Sequence, residues 1–121
     1  MKILVIDDEP DLLELVRIIL DGAGYEVKTC SSGRNAWDSI IEAKPDLVIL
    51  DVMLPGLDGY SLQMQMSQDK VTQNIPVIIL TALEPAKSLF EKSNNVVGFL
   101  SKPFRSEELL ARVKSALVSR A

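Results

Sequence analysis

No histidine occurs among the 121 residues. That absence removes Ser-His-Asp and Cys-His catalysis, a His-ligated zinc site and a phosphohistidine carrier. Cys30 is the single cysteine. It cannot form an internal disulfide, and its thiol reads as a small buried hydrophobe in a reducing compartment. Long apolar runs are lacking too: Leu47 to Leu50 and Val77 to Leu80 fall far below the ~18 residues a membrane span requires. Ile3 to Ile6 is followed at once by Asp7-Asp8-Glu9, with no small-residue cleavage site, so the N-terminus does not read as a signal peptide. Lysine and arginine form no cluster, and the formal net charge is -4. Neutralising a phosphate backbone needs clustered cations, so direct nucleic-acid binding is not expected. These absences point to a cytoplasmic chain without a membrane surface.

What is present is the composition of one compact domain over residues 1–121, 47% hydrophobic and 25% charged. A chain of this size can bury one real core without disulfides or a structural metal. Four short runs rich in Val, Ile and Leu read as strands: Lys2 to Ile6, Tyr25 to Cys30, Leu47 to Leu50 and Val77 to Leu80. A fifth strand fits Gly98 to Leu100. Between them lie segments with helical spacing, such as Leu12, Leu13, Leu15, Val16, Ile19 and Leu20, or Leu109, Leu110, Val113, Ala116 and Leu117. Short strands alternating with helices imply right-handed crossovers, hence a parallel sheet with helices on both faces. Pro10 suits a first helical turn, Gly22 and Gly24 suit a helix end, and Ser31 or Ser32 suits the cap of the second helix. Glu107 and Glu108 favour the start of the last helix, with Arg112, Lys114 and Arg120 further along it. The chain is either a stand-alone domain or a piece of a longer protein.

Ligands of a doubly wound sheet bind beyond the carboxyl ends of its strands. Here those ends are acidic: the first strand runs into Asp7-Asp8 and the third into Asp51. Two carboxylates ~5 Å apart repel by about 3 kcal/mol at an effective dielectric of roughly 20. Raised pKa values, nearby cations or a bound hard cation can compensate them, and an open all-oxygen cluster suits Mg²⁺. The fourth strand ends in Thr81, and Lys102-Pro103 follows the fifth. A carboxylate beside Mg²⁺ and a lysine can attack phosphorus, because the positive charges stabilise the transferring oxygens. Asp51 is the natural nucleophile. Singly, such residues are a turn-forming Asp, a β-branched filler and a solvated Lys. Their joint placement after different strands favours a functional site.

The stretches ILVIDDEP (Ile3 to Pro10), PDLVILDVMLPGLDG (Pro45 to Gly59), IPVIILTA (Ile75 to Ala82) and FLSKPF (Phe99 to Phe104) resemble the response-regulator receiver domain of two-component signalling, over the whole chain. The resemblance implies an α/β, flavodoxin-like (βα)5 fold: a doubly wound, five-stranded parallel sheet of order 2-1-3-4-5. It implies a switch rather than an enzyme, with at most weak self-phosphorylation and self-dephosphorylation. Asp51 would accept the phosphoryl group. Asp8, Asp51 and the backbone carbonyl of Met53 would ligate Mg²⁺, with Asp7 acting through a metal-bound water. Thr81, the Ala82 backbone N–H and Lys102 would hold the phosphoryl oxygens, Thr81 and Phe99 would form the switch, and Lys102-Pro103 would be cis. The fourth helix, fifth strand and fifth helix would form the output surface.

The resemblance also implies partners: a sensor histidine kinase or histidine phosphotransfer protein docking on the first helix and the loop after the fifth strand, and an output domain or protein downstream. The chain departs from the family pattern at Asn95-Val96-Val97-Gly98-Phe99, where Gly-Ala and acidic residues are common. Asn95 is expected to replace Gly at a left-handed helix cap. The missing acidic pair would deprive Arg112 and Lys114 of the partners that support a charged symmetric dimer in receivers joined to winged-helix domains, with Glu84 and Glu91 as the substitutes; the expected state is a monomer or a phosphorylation-dependent dimer. Apolar Met53 and Leu83, two residues beyond Asp51 and Thr81, imply slow self-dephosphorylation. A haloacid-dehalogenase-like phosphatase would want Asp where Met53 stands, and a flavodoxin-like cofactor binder would want a Ser/Thr/Gly loop where Asp7-Asp8-Glu9 stands. A receiver-like scaffold that signals without phosphorylation is the remaining alternative.

Overall fold

The computed structural model describes residues 1–51, 59–81 and 95–120, with residues 59, 60, 81, 119 and 120 in backbone alone. The element order is β1 (Lys2–Ile6), α1 (Pro10–Gly22), β2 (Glu26–Cys30), α2 (Ala36–Ala43), β3 (Leu47–Asp51), α3 (Gly59–Gln68), β4 (Val77–Thr81), β5 (Val96–Ser101) and α4 (Ser106–Arg120). The fourth of the five expected helices falls on residues outside those described, so the C-terminal helix carries the label α4. All pairings are parallel and the sheet order is β2-β1-β3-β4-β5, the doubly wound, flavodoxin-like arrangement.

Strand alternation sorts the core into two layers. Ile3, Val5, Leu47, Ile49, Ile78 and Leu80 face one way, against Leu13, Val16 and Leu20 of α1 and Leu109, Val113 and Ala116 of α4. Leu4, Ile6, Val48, Leu50, Val77 and Ile79 face the other, against Ala36 and Ile40 of α2 and Leu62 and Met66 of α3. Strands covered on both faces must be apolar at nearly every position, which is why β1, β3 and β4 stand out as continuous runs. The edge strand β2 exposes Glu26, Lys28 and Thr29. Cys30, at its end, is buried and donates its thiol to the Ser32 carbonyl at 3.2 Å.

Pro10 opens α1, and the chain leaves that helix through Gly24 at φ 96, a conformation that favours glycine. Glu108 accepts the Arg105 backbone N–H at 3.3 Å, half of a capping box that fixes the start of α4. Two expectations need correction. Neither Ser31 nor Ser32 caps α2: the Ser32 and Gly33 carbonyls accept from the Asn35 and Ala36 N–H groups, so the chain makes a turn first and the helix starts at Ala36. Asn95 does not adopt a left-handed conformation either. Lys44, at φ 48, is the positive-φ non-glycine residue among those described. The Asn95 carbonyl instead accepts the Val77 N–H at 2.7 Å and extends the sheet, while its buried side chain accepts the Nε2 of the equally buried Gln63.

Candidate functional site

The crossovers carry α1 to one face of the sheet and α2 and α3 to the other, and the strands β1 and β3 lie side by side between them. Asp7 follows β1 and Asp51 ends β3, so parallel pairing of Ile6 with Leu50 delivers both carboxylates to one rim. Asp7 is fully buried, and Asp51 nearly so. Asp8 is exposed beside them. Carboxylate oxygens of Asp7, Asp8 and Asp51 all lie within 4.8 Å of one another.

Lys102, one residue beyond β5, reaches back across the rim. Its Nζ stands 2.9 Å from Asp7 Oδ2, 3.1 Å from Glu9 Oε1 and 3.3 Å from Asp51 Oδ2. Asp7 Oδ1 accepts the Glu9 backbone N–H at 2.9 Å. Asp7 Oδ2 has no well-directed hydrogen bond, and the ammonium at 2.9 Å compensates it by charge instead. Burial raises the Asp7 carboxyl above the ordinary carboxylate range; the Glu9 N–H and Lys102 oppose that rise, and the charge of Asp51 adds to it. Burial alone would lower Lys102, but the carboxylates of Asp7, Glu9 and Asp51 outweigh it and hold the ammonium above its usual range.

The donor set fits a hard cation. Among the described residues, Asp7, Glu9 and Asp51 share the one Lys102 ammonium and the Asp8 carboxylate lies beside them, so acid outnumbers base at the rim. Two of the three clustered oxygens are held on strand ends while the third is open to water, an all-oxygen arrangement that suits Mg²⁺ with several waters retained.

Thr81 ends β4, in register with Ser101. The Lys102-Pro103 peptide bond is cis. Phe99 is half-buried in β5 and packs against the layer under α2 and α3. Met53, Ala82, Leu83, Glu84 and Glu91 lie outside the described residues. Glu9 is the site residue that sequence reasoning left without a role. Its signal was its place in the acidic run just ahead of Pro10, which makes it the N-cap of α1 at the same rim.

Fold and rim together define a class: a parallel α/β domain with an acidic cluster and a lysine at the carboxyl edge of its sheet. Residues 3–114 match the family model of the response regulator receiver domain. The chain is 38% identical over 117 residues to the DNA-binding dual master transcriptional regulator RpaA of Synechocystis, covering 96% of this chain and 48% of that protein. It is 37% identical over 122 residues to the phosphate regulon transcriptional regulatory protein PhoB of Pseudomonas aeruginosa, covering 95% and 51%. The chain thus spans about half the length of these curated relatives. Among solved structures, the chemotaxis response regulator CheY4 of Vibrio cholerae superposes with a TM-score of 0.88 at 30% identity, over 96% of this chain and 98% of that one. The chain belongs to the response regulator receiver domains, the phosphoacceptor modules of two-component signal transduction.

Proposed function

We propose that this chain is a phosphorylation switch in which Asp51 receives a phosphoryl group from a partner's phosphohistidine. The observation that carries the reading is a lysine ammonium held between two buried carboxylates, Asp7 and Asp51, at the ends of different strands. Structural ion pairs rarely bury an excess of acid, whereas a phosphoryl-transfer site needs a nucleophilic oxygen beside cations. An Asp51 oxygen attacks phosphorus, and the P–N bond to the partner's imidazole breaks. The electron pair stays on the ring nitrogen, which takes up a proton.

Lys102 pairs with one phosphoryl oxygen, and the Thr81 hydroxyl and Ala82 N–H take others. Mg²⁺ on Asp8, Asp51 and the Met53 carbonyl, with Asp7 behind a water, would supply charge neutralisation for the transferring group. Thr81 and Phe99 are assigned to the switch, and the fourth expected helix, β5 and α4 to the output surface.

With no histidine of its own, the chain takes its phosphoryl group in trans, from a sensor histidine kinase or a histidine phosphotransfer protein. A cleft of about 310 Å³ beside the site, lined by Glu9, Leu12, Leu15, Lys102, Pro103 and Phe104, supports docking there. Leu15 and Ile18 continue it as exposed apolar surface on α1. No described helix is long and apolar enough to cross a membrane; the cytoplasm, where such donors act, is the proposed location.

Intact mass after incubation with Mg²⁺ and acetyl phosphate tests the reading. A gain of one phosphoryl group (~80 Da), absent without Mg²⁺ and absent in Asp51→Asn, is the expected result. An unlabelled wild type, under conditions that label another receiver, overturns it in favour of a phosphorylation-independent scaffold.

A further inference from the structure

An ammonium has three N–H donors. Lys102 Nζ stands against three carboxylates, Asp7 at 2.9 Å, Glu9 at 3.1 Å and Asp51 at 3.3 Å, and directs hydrogen bonds to Glu9 and Asp51. A phosphoryl oxygen arriving at Asp51 competes with these carboxylates for the ammonium. Asp7 is poorly placed to yield, being fully buried with its other oxygen fixed by the Glu9 N–H at 2.9 Å. Asp51 is the residue on which the group arrives. Glu9 differs from both: its side chain is 63% exposed, against 18% for Lys102, so its carboxylate can turn into water with little desolvation at stake.

We propose that Glu9 is a positioning residue that acts as a charge gate. Its carboxylate holds the Lys102 ammonium in the resting site and sets a negative charge at the mouth, which disfavours free anionic phosphodonors. Glu9 also lines the cleft formed with Leu12, Leu15 and Phe104. A protein seated in that cleft meets the Glu9 side chain directly and can displace it from Lys102, which a small anion in solution cannot do by contact. The gate therefore biases the site toward a docked donor. This inference rests on the phosphoacceptor reading of Asp51.

The test follows labelling of the whole chain by intact mass over time, with Mg²⁺ and with two donors of different charge. Acetyl phosphate transfers its phosphoryl group to an Asp51 oxygen as the bond from phosphorus to the acetate oxygen breaks and acetate leaves with the electron pair. Phosphoramidate transfers in the same way with ammonia leaving, and it carries less negative charge. For Glu9→Gln the second-order rate constant with acetyl phosphate is expected to rise about fivefold at low salt, and less with phosphoramidate. The gain is expected to shrink below about twofold at roughly 0.5 M salt, where screening acts within a few ångströms. Glu9→Asp, which keeps the charge, is expected to stay within about twofold of wild type. A merely structural role for Glu9 would not produce a gain that depends on donor charge and salt.

A wild type that labels, with Glu9→Gln unchanged or slowed equally for both donors, overturns this inference alone. A wild type that labels with neither donor overturns the phosphoacceptor reading and this inference with it.

Discussion

Replacing Asp7 by asparagine removes a charge from the most buried position of the acidic rim without changing the side-chain volume. As a carboxylate, Asp7 gains about 6 kcal/mol from Lys102 at 2.9 Å, at an effective dielectric of roughly 20. Against that stand about 3 kcal/mol of repulsion from Asp51, whose oxygen lies within 4.8 Å, and several kcal/mol for burying the charge. The raised pKa of Asp7 gives the sign of the balance: the folded protein favours the neutral form. Asparagine keeps one oxygen for the Glu9 N–H and gives up the second, which faces Lys102, while the ammonium retains Glu9 and Asp51. Asp7→Asn is therefore expected to stabilise the metal-free protein at pH 7, read as a higher Tm than wild type. Because the folded pKa lies above the unfolded value, the wild-type penalty is absent below the unfolded pKa and grows as pH rises through the folded one. The advantage of Asp7→Asn follows the same course and vanishes near pH 3. Thermal unfolding followed by circular dichroism in EDTA across pH 3 to 8 measures it. Adding ~10 mM MgCl₂ is expected to favour the wild type, since ligand binding to the folded state adds stability. A lower Tm for Asp7→Asn in EDTA at pH 7, or an advantage that grows as pH falls, would refute this account of the rim.

Lys102→Ala leaves Asp7 and Asp51 facing each other without their shared cation, and urea unfolding in EDTA is expected to show a loss of about 2 to 3 kcal/mol. Part of that loss is expected to return with Mg²⁺, and a loss under about 0.5 kcal/mol would contradict the charge balance described here. Gln63→Leu strips the Asn95 oxygen of its buried donor, and the Asn95 Nδ2 already lacks a partner. A cost of about 1 to 3 kcal/mol is expected in the same assay, and a neutral result would show that water or a rotated amide satisfies Asn95.

The sheet was legible because burial on both faces demands apolar residues at every strand position, and β1, β3 and β4 carry that pattern openly. β2 was less clear for the opposite reason: an edge strand with Glu26, Lys28 and Thr29 in water has no such demand. β5 is longer than the Gly98 to Leu100 core suggested, because Val96 pairs with Val77 ahead of a register shift that leaves Val97 unpaired with β4. The rim was legible through strand ends, since Asp7, Asp51 and Lys102 each stand at or just beyond the carboxyl end of an apolar run. The role of Glu9 was not, since the acidic run ahead of Pro10 marks its place at the rim but not its bridge to a lysine far along the chain. The Gln63 and Asn95 pair escaped for a similar reason. Each alone reads as a polar surface residue, and only the packing of α3 against the start of β5 buries them together.

Lys102 lies 51 residues from Asp51 and 93 from Glu9 along the chain. The strand order places that closure last in logic as well as in space, for β5 joins the sheet only through β4, and β4 only through β3. Contacts of such large sequence separation carry the greatest loop-closure cost and raise the contact order that slows folding. A chain folded only through β3 would bring Asp7 and Asp51 together without the Lys102 ammonium that stands between them. On the phosphoacceptor reading proposed above, the site is complete only in a chain whose sheet is closed through β5.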